Sequence, residues 1–218
     1  DYIAVNDAKR YAEALQTLNL QNIEKRQLAG VIILDPARTI IESDVIIGAG
    51  TIVYPGNVLQ GGTRVGANCV LYQNNRMDCA VVGDGTTVES SVLLHCQVGG
   101  DTTVGPYAYI RPDTKIGDGC RIGDFVEVNN STIGDATKIS HLTYVGDSDL
   151  GKDINLGCGV VFVNYDGKVK RRSTVDDHAF IGCNCNLVAP VHVGKNAYLA
   201  AGSTVVEDVP EDALFVAR

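Results

Sequence analysis

A branched aliphatic residue recurs every sixth position over most of this chain, glycine commonly follows it, and large aromatic residues are scarce. Together these predict a mainly β protein: a left-handed parallel β-helix of six-residue (hexapeptide) repeats, with one amino-terminal α-helix. The series Val98, Val104, Ile110, Ile116, Ile122 and Val128 is unbroken. It slips by one residue to Ile133, Ile139 and Val145, slips again to Leu150, and continues at Leu156 and Phe162. It resumes at Ile181, Leu187, Val193, Leu199 and Val205. A period of six is neither helical nor simple strand alternation, so the repeat itself sets the fold. Each short strand supplies one inward aliphatic, tight turns join the strands, and three hexads close a triangular coil. Known folds with this pattern wind left-handed, against the usual right-handed crossover. A sandwich of short strands would need longer and less constant turn spacing.

In chain order, residues 6 to about 28 read as the helix. Asn6 or Asp7 can cap it, Ala8, Tyr11, Ala12, Leu15, Leu18 and Ile23 recur at helical spacing, and Gly30 ends it. Val31 to Leu34 reads as a short strand stopped by Asp35-Pro36. The six-residue period begins at about Val45. After Phe162 the run from Asn164 to Arg172 breaks the hexads and must protrude as a loop. It is the densest basic stretch of an acidic chain. Such runs are usually solvated faces, yet loops on rigid scaffolds commonly carry function.

The formal charge of −8 argues against a nucleic-acid partner, because phosphate backbones demand clustered positive charge. No run of about 18 apolar residues is present and no secretory signal is visible, so membrane insertion is not expected. The chain starts at Asp1 and its one Met is Met77; a fragment of a longer protein is expected. Seven scattered cysteines suit a reducing, cytoplasmic setting, where Cys serves as a small buried residue. Cys183-Asn-Cys185 lacks the companion CxxC or His pair of a zinc site, so no metal is expected in this fragment.

The phase of the repeat also points to a site. Grouping hexads in threes puts coil starts at Val104, Ile122, Ile139, Leu156, Ile181 and Leu199. Two residues after each start stand Pro106, Asp124, His141, Cys158, Cys183 and Ala201, stacked in a column. One histidine followed by three small residues makes a shallow groove of about 14 Å, taking ~4.8 Å per coil. That length suits an extended pantetheine-like arm. Histidine titrates near neutral pH and is a fit base; Asp124 below it or Glu127 on the same coil could orient it. A second column carries Arg111 and Asn129. Arg111 is a candidate anion ligand through its planar fork, although an Arg at a turn is more often merely solvated. His95, His178 and His192 read as surface residues.

The segments GPYAYIRPDTKIGDGCRIGDFVEV, SHLTYVGD, NLGCGVVFVNYDGKVK, GCNCNLVAPVHVG and AAGSTV resemble the acetyltransferase half of a bifunctional family. That family joins glucosamine-1-phosphate acetyltransferase to N-acetylglucosamine-1-phosphate uridyltransferase. HLTY followed by NYDG at this distance is more specific than hexads alone. The resemblance implies acetyl transfer from acetyl-CoA to the amine of glucosamine 1-phosphate, within UDP-N-acetylglucosamine synthesis for the cell envelope. It implies His141 as general base, and Arg111, Tyr144, Asn155 and Lys170 as ligands of the sugar phosphate. Asn129 stands where the family commonly has a phosphate-binding Lys. Asn164 and Tyr165 would lie at the acetyl group, and Cys158, Cys183, Ala201 and Arg218 would line the coenzyme A site. A homotrimer sharing its sites between chains is implied. Residues 1–30 would connect to a preceding uridyltransferase domain, with 31–218 as the acetyltransferase domain. Asn6 looks like the family's Asn that reaches Mg²⁺ in that other site. Three rivals stand beside this reading: a hexapeptide acyltransferase with another amine acceptor, a non-catalytic β-helix trimerisation module, and a carbonic anhydrase of the same fold.

Overall fold

The computed structural model describes residues 4–217. Its helix runs Ala8–Leu28, and the Asp7 carboxylate accepts from the Arg10 backbone N–H at 2.8 Å, as an N-cap should. Gly30, at φ +91°, turns the chain out of it. The evenly spaced apolar residues of the helix do not form a buried face. Tyr11, Leu15 and Leu18 are exposed, and of the residues expected to pack only Ile23 is buried. The reason is that polar groups in its carboxyl-terminal half do the docking. Asn19 exchanges hydrogen bonds with the Thr39 carbonyl (2.7 Å) and the Ile41 N–H (2.9 Å). Buried Arg26 donates to the carbonyls of Asn22, Glu42, Ser43 and Val45 at 2.7–3.0 Å. The helix thereby packs on the first coil, the end of the solenoid where strand edges would otherwise lie open.

Beyond the helix the chain forms three parallel sheets of eleven, ten and nine strands. Up to the carboxyl-terminal strand, consecutive strands enter the first, second and third sheet in turn and each pairs with the one three further on. This is the triangular coil that the period of six demands. Leu214–Phe215 closes the first sheet against Tyr198–Leu199, two strands back. The repeat starts earlier than Val45: Ile32–Ile33 already pairs with Ile52–Val53, and Ile40–Ile41 with Val58–Leu59. Each hexad aliphatic points inward, and Val53, Leu59, Ile110, Ile122, Ile139 and Leu199 are fully buried. Burial of each such side chain contributes about 1.5–3 kcal/mol before the entropy of ordering is charged against it.

A second inward row, two residues before each aliphatic, holds mostly small residues such as Thr51, Cys69, Thr86, Ser91 and Cys120, with Ile154 a larger exception. Their side chains serve the turns. Thr51 Oγ donates to the Gly66 carbonyl at 2.8 Å and accepts from the Cys69 N–H at 3.0 Å. The glycine after many hexad aliphatics has a steric cause at the corner between the third and first sheets. There Asp118 and Asp135 reach down one coil to accept from the N–H groups of Gly100 (2.7 Å) and Asp118 (2.9 Å). A Cβ on Gly117 would collide with the Asp135 carboxylate. The loop of residues 164–172 leaves the stack between Val161–Val163 and Ser173–Val175, where the hexads break. Among the described residues no helix is long and apolar enough to cross a membrane.

Candidate active site

The corner between the first and second sheets carries the histidine column. Arg121–Asp124 pairs with Lys138–His141, and the register sets Asp124 directly beside His141. Further pairings run Ile139 to Leu156, Leu156 to Ile181 and Ile181 to Leu199. Two residues on, this brings His141, Cys158, Cys183 and Ala201 into line, in the order the repeat predicts. Cys183 and Ala201 are exposed and Cys158 is half-buried, so the strip is open. The exposed turn residues Tyr107, Phe125 and Leu142 stand along the same corner, with the Tyr107 and Phe125 rings stacked at 5.5 Å. Cys185 points inward instead, its Sγ 3.1 Å from the Ala200 carbonyl, so Cys183 and Cys185 do not form a pair of ligands.

His141 Nδ1 lies 2.6 Å from Asp124 Oδ1. The hydrogen bond from the imidazole holds the Asp124 carboxyl below the usual carboxylate range. An ionised Asp124 accepting at Nδ1 fixes the proton there and presents Nε2 as the acceptor nitrogen. With 52% of its side chain exposed, the imidazole is within reach of a ligand. Glu127, the other orienting group that the sequence allows, is otherwise engaged: its carboxylate takes Arg111 Nη1 at 2.7 Å. That bond raises the Arg111 guanidinium further, and Arg111 also sits 5.8 Å from the centre of the Tyr109 ring.

Arg111, Asn129 and Gly146 follow one another on the second sheet, and Tyr109, Glu127 and Tyr144 form the adjoining column. Gly146 is required here, because a Cβ would strike the Tyr144 hydroxyl and the Asn164 amide. Asn164 donates to the Tyr144 hydroxyl (3.4 Å) and to the Asp147 carboxylate, which also accepts from Asn130 at 2.6 Å. Asn130 and Asp147 are thus supports that sequence reasoning did not single out. Their one signal is position: both occupy left-handed turns, at φ +47° and +48°, where Asn and Asp are favoured.

Asn155 lies on a different face, the first sheet, between Lys138 and Phe180. Within one chain it therefore flanks the His141 corner from the side opposite Arg111, Asn129 and Tyr144. The 164–172 loop is a small hairpin in which Tyr165 bridges Lys170 and Asp166 accepts from the N–H groups of Lys168 (2.8 Å) and Val169 (2.7 Å). Its basic run is split by pairing. Arg172 grips Asp149 with two bonds of 2.6 Å, pulling that carboxyl down and the guanidinium up. Arg171 lies 3.8 Å from Asp166. Lys168 and Lys170 are exposed and form no ion pair among the described residues. Tyr165 is exposed, whereas Asn164 is buried. Asn6 is exposed just ahead of the cap Asp7, and Arg218 falls outside the described residues.

Residues 95–130 match the family described as bacterial transferase hexapeptide (six repeats). A protein of Clostridium novyi called bifunctional protein GlmU is 53% identical over 214 residues, covering 98% of this chain and 47% of that protein. Its namesake in Clostridium beijerinckii is 51% identical over 220 residues, covering 99% and 48%. The chain spans about half the length of the curated relatives it matches. Among solved structures, a UDP-N-acetylglucosamine acyltransferase from Campylobacter jejuni matches 84% of this chain and 70% of its own, at 20% identity and a TM-score of 0.46.

Proposed function

Because the chain resembles, over nearly its whole length, the acetyltransferase half of the bifunctional GlmU proteins, we propose that it transfers an acetyl group from acetyl-CoA to the amine of glucosamine 1-phosphate. The observation that carries this reading is the His141–Asp124 pair at the head of an open strip of small residues. His141 Nε2 accepts the proton of the amine as its nitrogen attacks the thioester carbonyl. The C–N bond forms, the C–S bond breaks, and the departing thiolate takes the proton back from the His141 imidazolium, so coenzyme A leaves as its thiol. The charge on Asp124 stabilises the imidazolium in passing. No cysteine acts as nucleophile, and the buried thiols support that view: burial pushes Cys96 up to about 12 and raises Cys69, Cys120 and Cys185.

Arg111, Asn129, Tyr144, Asn155 and Lys170 are the proposed holders of the sugar phosphate, Asn164 and Tyr165 of the acetyl group, and Cys158, Cys183, Ala201 and Arg218 of coenzyme A. Asn155 stands on a different sheet from Arg111 and Tyr144, which favours a site closed by a neighbouring chain, and hence a homotrimer. Residues 1–30 are read as the connector to a uridyltransferase domain with its own Mg²⁺, and 31–218 as the acetyltransferase. The product would enter UDP-N-acetylglucosamine synthesis, a cytoplasmic step of cell-envelope assembly.

The acceptor is the point to test, since Asn129 supplies no charge and Arg111 already shares its charge with Glu127. Acetylation rates should be compared for glucosamine 1-phosphate and unphosphorylated glucosamine, by release of free thiol. A charge-assisted phosphate contact is worth about 1.5–3 kcal/mol, so a preference of roughly 10- to 100-fold in kcat/KM for the phosphorylated sugar is expected. Equal rates would shift the reading to a hexapeptide acyltransferase with another amine acceptor.

A further inference from the structure

The corner between the second and third sheets, away from His141, gathers a different set of side chains. Gly61, Cys79, His95 and Asp113 occupy its left-handed turns on successive coils, at φ +63°, +49°, +46° and +60°. Cys at such a position is uncommon, and the coil below has Gly there. The stacking is direct: His95 N–H donates to the Asp78 carbonyl at 2.8 Å, and Asp78 pairs in register with Leu94. One carboxylate oxygen of Asp78, the Cys79 Sγ and a ring nitrogen of His95 consequently lie within 4.8 Å of one another.

We propose that Asp78, Cys79 and His95 form a binding site for a zinc-class divalent cation that ties two consecutive coils together. The donor set decides the class. One thiolate, one imidazole and one carboxylate suit a tetrahedral zinc with its fourth position open to water, whereas Mg²⁺ and Ca²⁺ prefer oxygen donors throughout. Cys79 and His95 also line a cleft of about 360 Å³, together with Val81, Gln97, Asp113 and Lys115.

Three further features fit a built site. Gln60 donates to Asp78 Oδ2 at 2.9 Å, which orients the carboxylate and leaves Oδ1 for a cation, as outer-shell partners of metal ligands do. Gly61 on the coil below is needed for space, since a Cβ there would collide with Asp78 Oδ1 and crowd the Cys79 sulfur. The surroundings are acidic: Glu42 accepts from the Gly61 N–H at 2.8 Å and the Asp44 carboxylate stands beside Gly62, a field that attracts a cation. Binding would release the thiol proton and leave a metal thiolate. Sequence spacing hides this site. Adjacent Asp78-Cys79 meets His95 only because one turn of the coil separates them.

The test is metal binding by the intact chain. Metal-free protein should take up one equivalent of Zn²⁺ per chain, measured by elemental analysis after gel filtration, and Zn²⁺ should raise its unfolding midpoint. Co²⁺ in its place should give a near-ultraviolet thiolate-to-metal charge-transfer band. Cys183→Ser should bind as the parent does. Cys79→Ser and His95→Gln should lose the equivalent and the midpoint shift, with affinity falling by more than the ~10–100-fold typical of losing an outer-shell partner. Failure of the parent to bind Zn²⁺, or a Co²⁺ adduct without the thiolate band, overturns the proposal whether or not the variants fold. Full retention of the metal by folded Cys79→Ser and His95→Gln overturns it as well.

Discussion

At the scale of single residues, the chemistry rests on which groups hold each other at the first-to-second sheet corner. Asp124 holds His141 Nδ1 at 2.6 Å, and Glu127 is left to Arg111. The sign of the Asp124 shift fixes its pH behaviour. Its carboxyl is held below the usual value, so its contribution is present above an unfolded-state pKa of ~3.9 and is lost as pH falls through the lower folded-state value. Asp124 therefore stays ionised at any pH where the enzyme would work. Asp124→Asn should lower kcat by about tenfold or more across neutral pH, short of the ~100-fold of the base itself. Its unfolding midpoint should differ from the parent's above pH ~4 and converge on it in acid. A variant with unchanged turnover would remove Asp124 from the mechanism. The column containing these residues was legible in the sequence because a period of six fixes which residues stack. The pairing of Arg111 with Glu127 was not, because register gives columns but not the reach of long side chains between them.

At the scale of elements, the 164–172 loop is the part least determined by the repeat. Its protrusion follows from the broken hexads, but its shape follows from local bonds: the Asp166 turn, the Tyr165–Lys170 bridge and the Arg172–Asp149 clamp. Read as sequence, its four basic residues form one patch. Folded, Arg172 anchors the loop while Lys168 and Lys170 stay outside any ion pair among the described residues. Arg172→Ala should thus loosen the loop and spare the coils. We expect faster proteolysis within residues 164–172, an unfolding midpoint changed by no more than ~1 kcal/mol worth of stability, as for a partly exposed pair, and weaker acetyl-CoA and acceptor binding. Limited proteolysis with mass spectrometry checks this; cleavage at the parent's rate would show that the clamp does not order the loop. The helix gives the converse lesson. Its spacing promised a buried apolar face, yet Asn19, Asn22 and Arg26 dock it through polar bonds and leave Tyr11, Leu15 and Leu18 exposed.

At the scale of the whole molecule, one repeat accounts for fold and site together. Inward aliphatics and small turn-serving residues build a narrow prism, and its corners become ladders of turn residues with one identity per coil. A corner can then carry a linear arrangement of chemistry at a spacing of one strand step. One corner carries His141 and the small-residue strip, and another carries Asp78, Cys79 and His95. Each is completed only by stacking of successive coils, which is why periodicity found the first and motif spacing missed the second. The fold was legible because its period is strict. The division of the proposed acceptor residues between two sheets was not, because it needs each hexad assigned to its face.

The proposed acetyl transfer at the His141 corner can be tested by turnover. The most direct measurement is free-thiol release from acetyl-CoA with glucosamine 1-phosphate, for the parent and for His141→Ala, with folding of both verified by their unfolding midpoints. Robust turnover is expected of the parent and a fall in kcat on the order of 100-fold or more in the variant, with little change in stability because the imidazole is half exposed. Turnover by folded His141→Ala within a few-fold of the parent would contradict the proposal.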